Sequence, residues 1–188
     1  ACAPFRRLHL CDKNLEQIKP HTITATHNLL VDVCMAAKFE GQSITGEYPK
    51  YQNKYGDVGS TMCTMLARSF ADIGDIIRGK DLYVGNRKER EKEKLQTNLK
   101  NIFEKLKSSN PQLTNVSLEK IREYWWALNR QDVWKAITCD ADGSYFRPTC
   151  GGSESPSMAR DKCRCNDDQV PTYFDYVPQY LRWFEEWA

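Results

Sequence analysis

No run of 18 apolar residues occurs anywhere in the 188-residue chain, which excludes a membrane-spanning helix within it. It has no initiating Met and no charged segment leading into an apolar run, so no signal peptide is read. It opens on Ala1-Cys2 and closes on the aromatic stretch Trp183 to Ala188, and both ends read as cut from something larger. A G-x-S-x-G elbow, a P-loop, a dinucleotide-binding glycine set, H-E-x-x-H and an EF-hand loop are all lacking, so no catalytic activity and no cofactor are expected. Only three histidines are present, and they lie far from the one close cysteine pair, Cys163 and Cys165, which argues against zinc or any other metal. No strand pattern of convincing length appears.

What is there is a chain that must pack. Hydrophobic residues make up 40% and aromatics 11%, far too much apolar surface for disorder. Eight cysteines, at 2, 11, 34, 63, 139, 150, 163 and 165, point to disulfides and an oxidising compartment. Net charge is only +2, but residues 1–139 carry 22 basic against 16 acidic residues, and residues 140–188 carry 5 against 9. A basic half attracts a polyanion by long-range field. Carboxylates are read as scattered over solvated helix surfaces.

Hydrophobic period places the helices. Leu29, Leu30, Val33, Cys34 and Ala37 give a first helix over about 22–39, with Gly41 as its stop and a polar connection to Gly56. A second runs from about Val58 to Ile77, closed by Gly79 in positive φ. A third spans Arg87 to Lys107, its stripe Leu95, Leu99, Ile102, Phe103 and Leu106 facing inward. Ser117 caps a fourth helix to Ile137, carrying Leu118, Ile121, Trp125, Leu128, Val133, Trp134 and Ile137. On that stripe Trp125 and Trp134 are core, whereas Trp126, one residue off, is partly exposed or faces a different neighbour. Residues 139–170 form an irregular loop needing covalent staples. A last helix starts at Pro178, and the aromatics from Tyr173 to Trp187 await a cover from a missing C-terminal part. The fold class is all-α: helical hairpins in a disulfide-stapled bundle.

Four stretches carry a specific resemblance: Cys2-Ala3-Pro4-Phe5-Arg6-Arg7-Leu8-His9-Leu10-Cys11-Asp12; Ala67-Arg68-Ser69-Phe70-Ala71-Asp72-Ile73-Gly74-Asp75-Ile76-Ile77-Arg78-Gly79; Arg122-Glu123-Tyr124-Trp125-Trp126 with Asn129-Arg130 and Val133-Trp134; and Tyr173 to Phe184. Together the chain resembles a Duffy-binding-like α domain of the Plasmodium falciparum erythrocyte membrane protein family. The resemblance implies an extracellular adhesion module on the infected red cell, varied under pressure from antibodies. It implies host erythrocyte or endothelial receptors, heparan sulfate, blood-group sugars and complement receptor one among them, and no nucleic acid. A structural spacer that positions a neighbouring receptor-binding domain is the rival reading. By the same likeness residues 1–20 end a first subdomain, 21–177 form a helical second with the cysteine-rich loop, and 178–188 begin a third; Cys2 and Cys11 would pair with upstream partners.

The long loop calls for Cys139, Cys150, Cys163 and Cys165 all to be oxidised, with Cys150–Cys165 the preferred local pair and Cys34 and Cys63 tying the loop to the first two helices. The family supplies no invariant binding motif, so the expected glycan site comes from charge. The third helix leaves Arg87, Lys88, Arg90, Lys92, Lys94, Lys100, Lys105 and Lys107 on its outer side, a row of flexible cations suited to repeated sulfates.

Overall fold

The computed structural model describes residues 2–56, 61–83, 90–144 and 147–188. Among them lie two short helices, α1 (Phe5–Leu8) and α2 (Lys13–Glu16), and five longer ones: α3 (Thr26–Tyr55), α4 (Thr61–Arg78), α5 (Arg90–Ser108), α6 (Leu118–Ile137) and α7 (Gln179–Trp187). No strand occurs among the described residues, only isolated bridges at Cys150–Ser157 and Asp161–Arg164. The architecture is all-α, as the periodicity implies.

α3 starts where Asn28 Oδ1 accepts from the Ala25 N–H at 3.1 Å, relieving one of the unpaired donors of the first turn. It then runs straight through the expected stop at Gly41. A Cβ at Gly41 would land on the Ile137 carbonyl, so this glycine is present because α6 crosses α3 there. The expected polar connection up to Gly56 is therefore mostly helix. Gly74 of α4 plays the same part against the Trp126 ring, where a Cβ would come within 2.7 Å. Gly79 ends α4 at φ +75°, as the sequence implies; the expected start at Val58 lies outside the described residues.

α6 is the central element, packed between α3, α4 and α5. That position decides two readings. Trp125 packs edge-on against Phe103 of α5 at 6.2 Å. Trp126 takes the second of its two alternatives and faces a different neighbour: it packs on Phe70 of α4 at 5.1 Å and is completely buried, not partly exposed. A helix with neighbours on several sides buries adjacent residues, and a single-stripe reading misses that. Leu128, expected in the stripe, points away and is 82% exposed. Trp134 is core as expected.

Ser117 caps α6: its hydroxyl accepts from the Lys120 N–H at 3.3 Å. Ser117→Ala should cost about 1 kcal/mol and lower the midpoint of thermal unfolding by about 2–4 °C. An unchanged melting curve would mean that the first turn is held from elsewhere.

Two disulfides staple the loop. Cys150–Cys165 forms as expected, and Cys63 of α4 takes Cys163. Cys34 and Cys139 do not join them: both are free thiols, as are Cys2 and Cys11. Cys34 faces the Asp132 carboxylate, and burial together with that charge pushes its thiol up to about 11. Burial and the neighbouring Asp140 carboxylate push the Cys139 thiol up, while the charge of Lys38, a full turn beyond Cys34 on α3, acts against them. Cys63, Cys150, Cys163 and Cys165 are matched among themselves, and Cys34 and Cys139 are not bonded to each other. Arg164 adds a polar tie, donating to the Thr138 hydroxyl and the Lys135 carbonyl at 2.8 Å each, which satisfies the frayed end of α6.

Candidate receptor-binding surface and the buried ionic network

The carboxylates are not all on solvated surfaces. Asp72 of α4 is fully buried and is the hub of a network joining α1, α4 and α7. One of its oxygens accepts from Arg6 at 2.7 Å; the other accepts from Arg182 at 2.7 Å, Gln179 at 3.0 Å and the Trp183 indole at 3.2 Å. Arg182 bridges on to Asp75 at 2.6 Å, which also receives Arg78 at 2.9 Å. Arg6 reaches Glu186 through two hydrogen bonds, and Arg7 is paired with Asp81.

A second buried carboxylate, Asp175, accepts from the Trp126 indole at 2.8 Å and from Arg130 at 2.7 and 2.8 Å. Burial works against the charge on Asp72, yet Arg6 and Arg182 hold its carboxyl below the usual carboxylate range. At Asp75 burial wins over Arg182 and Arg78 and pushes the carboxyl up to about 6. Among the described residues Arg122 meets no carboxylate. Its guanidinium donates to the Ile77 and Ile76 carbonyls at the end of α4, and burial brings it down to about 10.

On α5 the expected glycan row is only partly present. Arg87 and Lys88 lie outside the described residues. Arg90, Lys94 and Lys100 are exposed, and Lys100 stands 3.9 Å from Glu104. Lys92 is not on the outer side. Three residues before Leu95, it shares the inward face, where its ammonium meets Asp12 at 2.9 Å and Glu16 at 3.3 Å. Lys105 is spent on the Ile23 carbonyl at 3.1 Å, and Lys107 is half-buried. Among the described residues no three His, Cys, Asp or Glu side chains group to hold a metal, and no helix is long and apolar enough to cross a membrane.

The family model for the Duffy binding domain matches residues 1–182. The chain belongs to that family. This Duffy binding domain is 41% identical to the NTS-DBL1(alpha-1) domain of the Plasmodium falciparum membrane protein PfEMP1 from the varO strain, with a TM-score of 0.83, over all of this chain and 43% of that one. An ICAM-1-binding PfEMP1 DBLbeta domain is 32% identical with a TM-score of 0.74, over 98% of this chain and 42% of that one. The Duffy receptor beta form of Plasmodium knowlesi is 24% identical over the whole chain, which spans only 14% of that relative's length. Domains of this family are adhesion modules, not enzymes.

The four stretches that carry the resemblance are the ones that build the ionic network. Arg6 and Arg7 come from the first, Asp72, Asp75 and Arg78 from the second, Trp126 and Arg130 from the third, and Asp175, Gln179 and Arg182 from the fourth. Their charged side chains pair with one another and, at Arg7 and Arg6, with Asp81 and Glu186 just beyond the stretches. Sequence reasoning missed this interior; its signal was the spacing of Asp72, Asp75 and Arg78 along one side of α4, among Ile73, Ile76 and Ile77.

Proposed function

We propose that the chain is an extracellular adhesion module that binds host receptors, displayed on the infected erythrocyte as part of a larger protein. The observation that carries this reading is its likeness to the PfEMP1 domains, one of them described as ICAM-1-binding. Residues 1–20, 21–177 and 178–188 are then the end of one subdomain, the body of a second and the start of a third. Because Arg6, Arg7, Asp72, Asp75, Arg78, Arg130, Asp175 and Arg182 are engaged in the ionic network, charge-mediated receptor contact falls to other exposed residues. The exposed cations of α5, Arg90, Lys94 and Lys100, suit a sulfated glycan such as heparan sulfate. Blood-group sugars would gain nothing from this charge.

Binding of the purified chain to red cells, endothelial cells and immobilised heparin tests the reading against the rival of a spacer. A chain that is well folded but binds none of the three is a spacer. A parent that is retained on heparin should be released at lower salt when Arg90, Lys94 and Lys100 are changed to Ser, since exposed charge contacts are screened within about 8–10 Å. Release of the triple variant at the parent's salt concentration would remove these cations from the site.

A further inference from the structure

The buried network shapes the surface above it. Arg78 donates to the Asp175 carbonyl, and Arg182 donates to the Val177 carbonyl at 2.6 Å, so the turn leading into α7 is fixed from beneath. Gln179 accepts from the Leu82 N–H at 2.6 Å and holds the chain that follows α4 beside that turn. Between these pieces and the first turns of α6 lies an open cleft of about 810 Å³. Its lining includes Leu82, Tyr176, Val177 and Tyr180, all four exposed. The charges of the lining cancel. Asp75 is matched by Arg78 and Arg182, Glu123 by Lys80, and Asp175 by Arg130. Glu119 and Lys120, exposed in the first turn of α6, add one charge of each sign.

We infer that this cleft between α4, α6 and α7 seats a loop of a host receptor protein, which inserts an aliphatic or aromatic side chain against Leu82, Tyr176, Val177 and Tyr180. The inference rests on the receptor reading above and deepens it by naming the seat and the kind of partner. Large exposed apolar side chains gathered in one concave place mark a binding site. Tyrosine and arginine are among the residues that carry most interface energy, and here the Arg78 guanidinium lies 5.6 Å from the centre of the Tyr176 ring. A polyanion gains nothing from a lining without surplus charge. A sugar finds few acceptors left to share, since the Asp75 carboxylate and the Asp175 and Val177 carbonyls already accept from arginines. A protein loop with an apolar tip, flanked by one charge of each sign, suits both the apolar lining and the Glu119 and Lys120 rim. The network beneath fixes the lining before binding, so less order is lost on association.

The test compares the parent, Leu82→Ser/Val177→Ser, and Val31→Ser/Leu128→Ser, which removes exposed apolar surface from α3 and α6 instead. Circular dichroism verifies that all three are folded. Each is titrated onto red cells and endothelial cells, untreated or stripped of surface protein by a protease. The Leu82/Val177 variant should bind untreated cells roughly tenfold more weakly. The Val31/Leu128 variant should bind like the parent, and stripped cells should not retain the parent. Equal binding by the Leu82/Val177 variant and the parent overturns the cleft while leaving the receptor reading intact. So does an equal loss in both double variants, which would mean that only general stickiness matters. Undiminished binding of the parent to stripped cells overturns the protein partner. A folded parent that binds neither cell type sinks the receptor reading, and the cleft with it.

Discussion

Asp72→Ala should destabilise the chain by about 3–5 kcal/mol, the usual result of removing one partner from a buried ionic cluster. Arg182 would keep Asp75, and Arg6 would keep Glu186, but Gln179 and the Trp183 indole would each lose an acceptor inside the protein. The loss is mainly the cost of stranded donors and cations. Urea unfolding measures it as a lower midpoint with an unchanged slope. The effect also has a pH signature. The folded carboxyl titrates below its unfolded value of about 3.9, so its share of stability is present above about pH 4 and is lost as pH falls further. Parent and variant should therefore converge in acid. Asp75 acts in the opposite sense: with its carboxyl near 6, it subtracts stability as pH rises from about 4 to 6. A variant within 1 kcal/mol of the parent at pH 7 would mean that the cluster relaxes around the gap.

Opening the Cys63–Cys163 bridge should cost about 4.7 kcal/mol and opening Cys150–Cys165 about 3 kcal/mol, because chain entropy grows with the closed loop. The separations are 100 and 15 residues. Double Ser variants of each pair, unfolded in urea, should lose stability in that order. The longer bridge also joins α4 to the segment whose Cys163 carbonyl receives the buried Trp134 indole, so its loss loosens the loop over the core. If the Cys150/Cys165 variant proves the weaker of the two, loop length does not govern these staples.

Much of the frame was legible in the sequence because it is local. The stripe of α5, the Ser117 cap, the positive φ at Gly79 and the start of α7 after Pro178 each depend on a few neighbouring residues. The misses share a cause in long-range placement. Gly41 reads as a stop until Ile137 is seen across from it, and Trp126 reads as off-stripe until α4 covers it. Lys92 reads as a surface cation until α2 supplies Asp12 and Glu16. The ionic network is the extreme case, since Arg6 and Glu186 are 180 residues apart. Single charges in a sequence do not reveal whether they will be paired from the other end of the chain. The glycan row was legible only as a count of cations, and the fold redistributed them.

The Cys63–Cys163 bridge has a mechanical meaning as well. A pull applied on either side of it passes from α4 through sulfur into the segment leading to α7. α5 and α6 then hang off the load path. About 100 residues, which would pay out roughly 340 Å of slack if stretched, are withheld from extension. Under tension, α5 and α6 would keep their shape while the chain outside the covalent ring took up the strain.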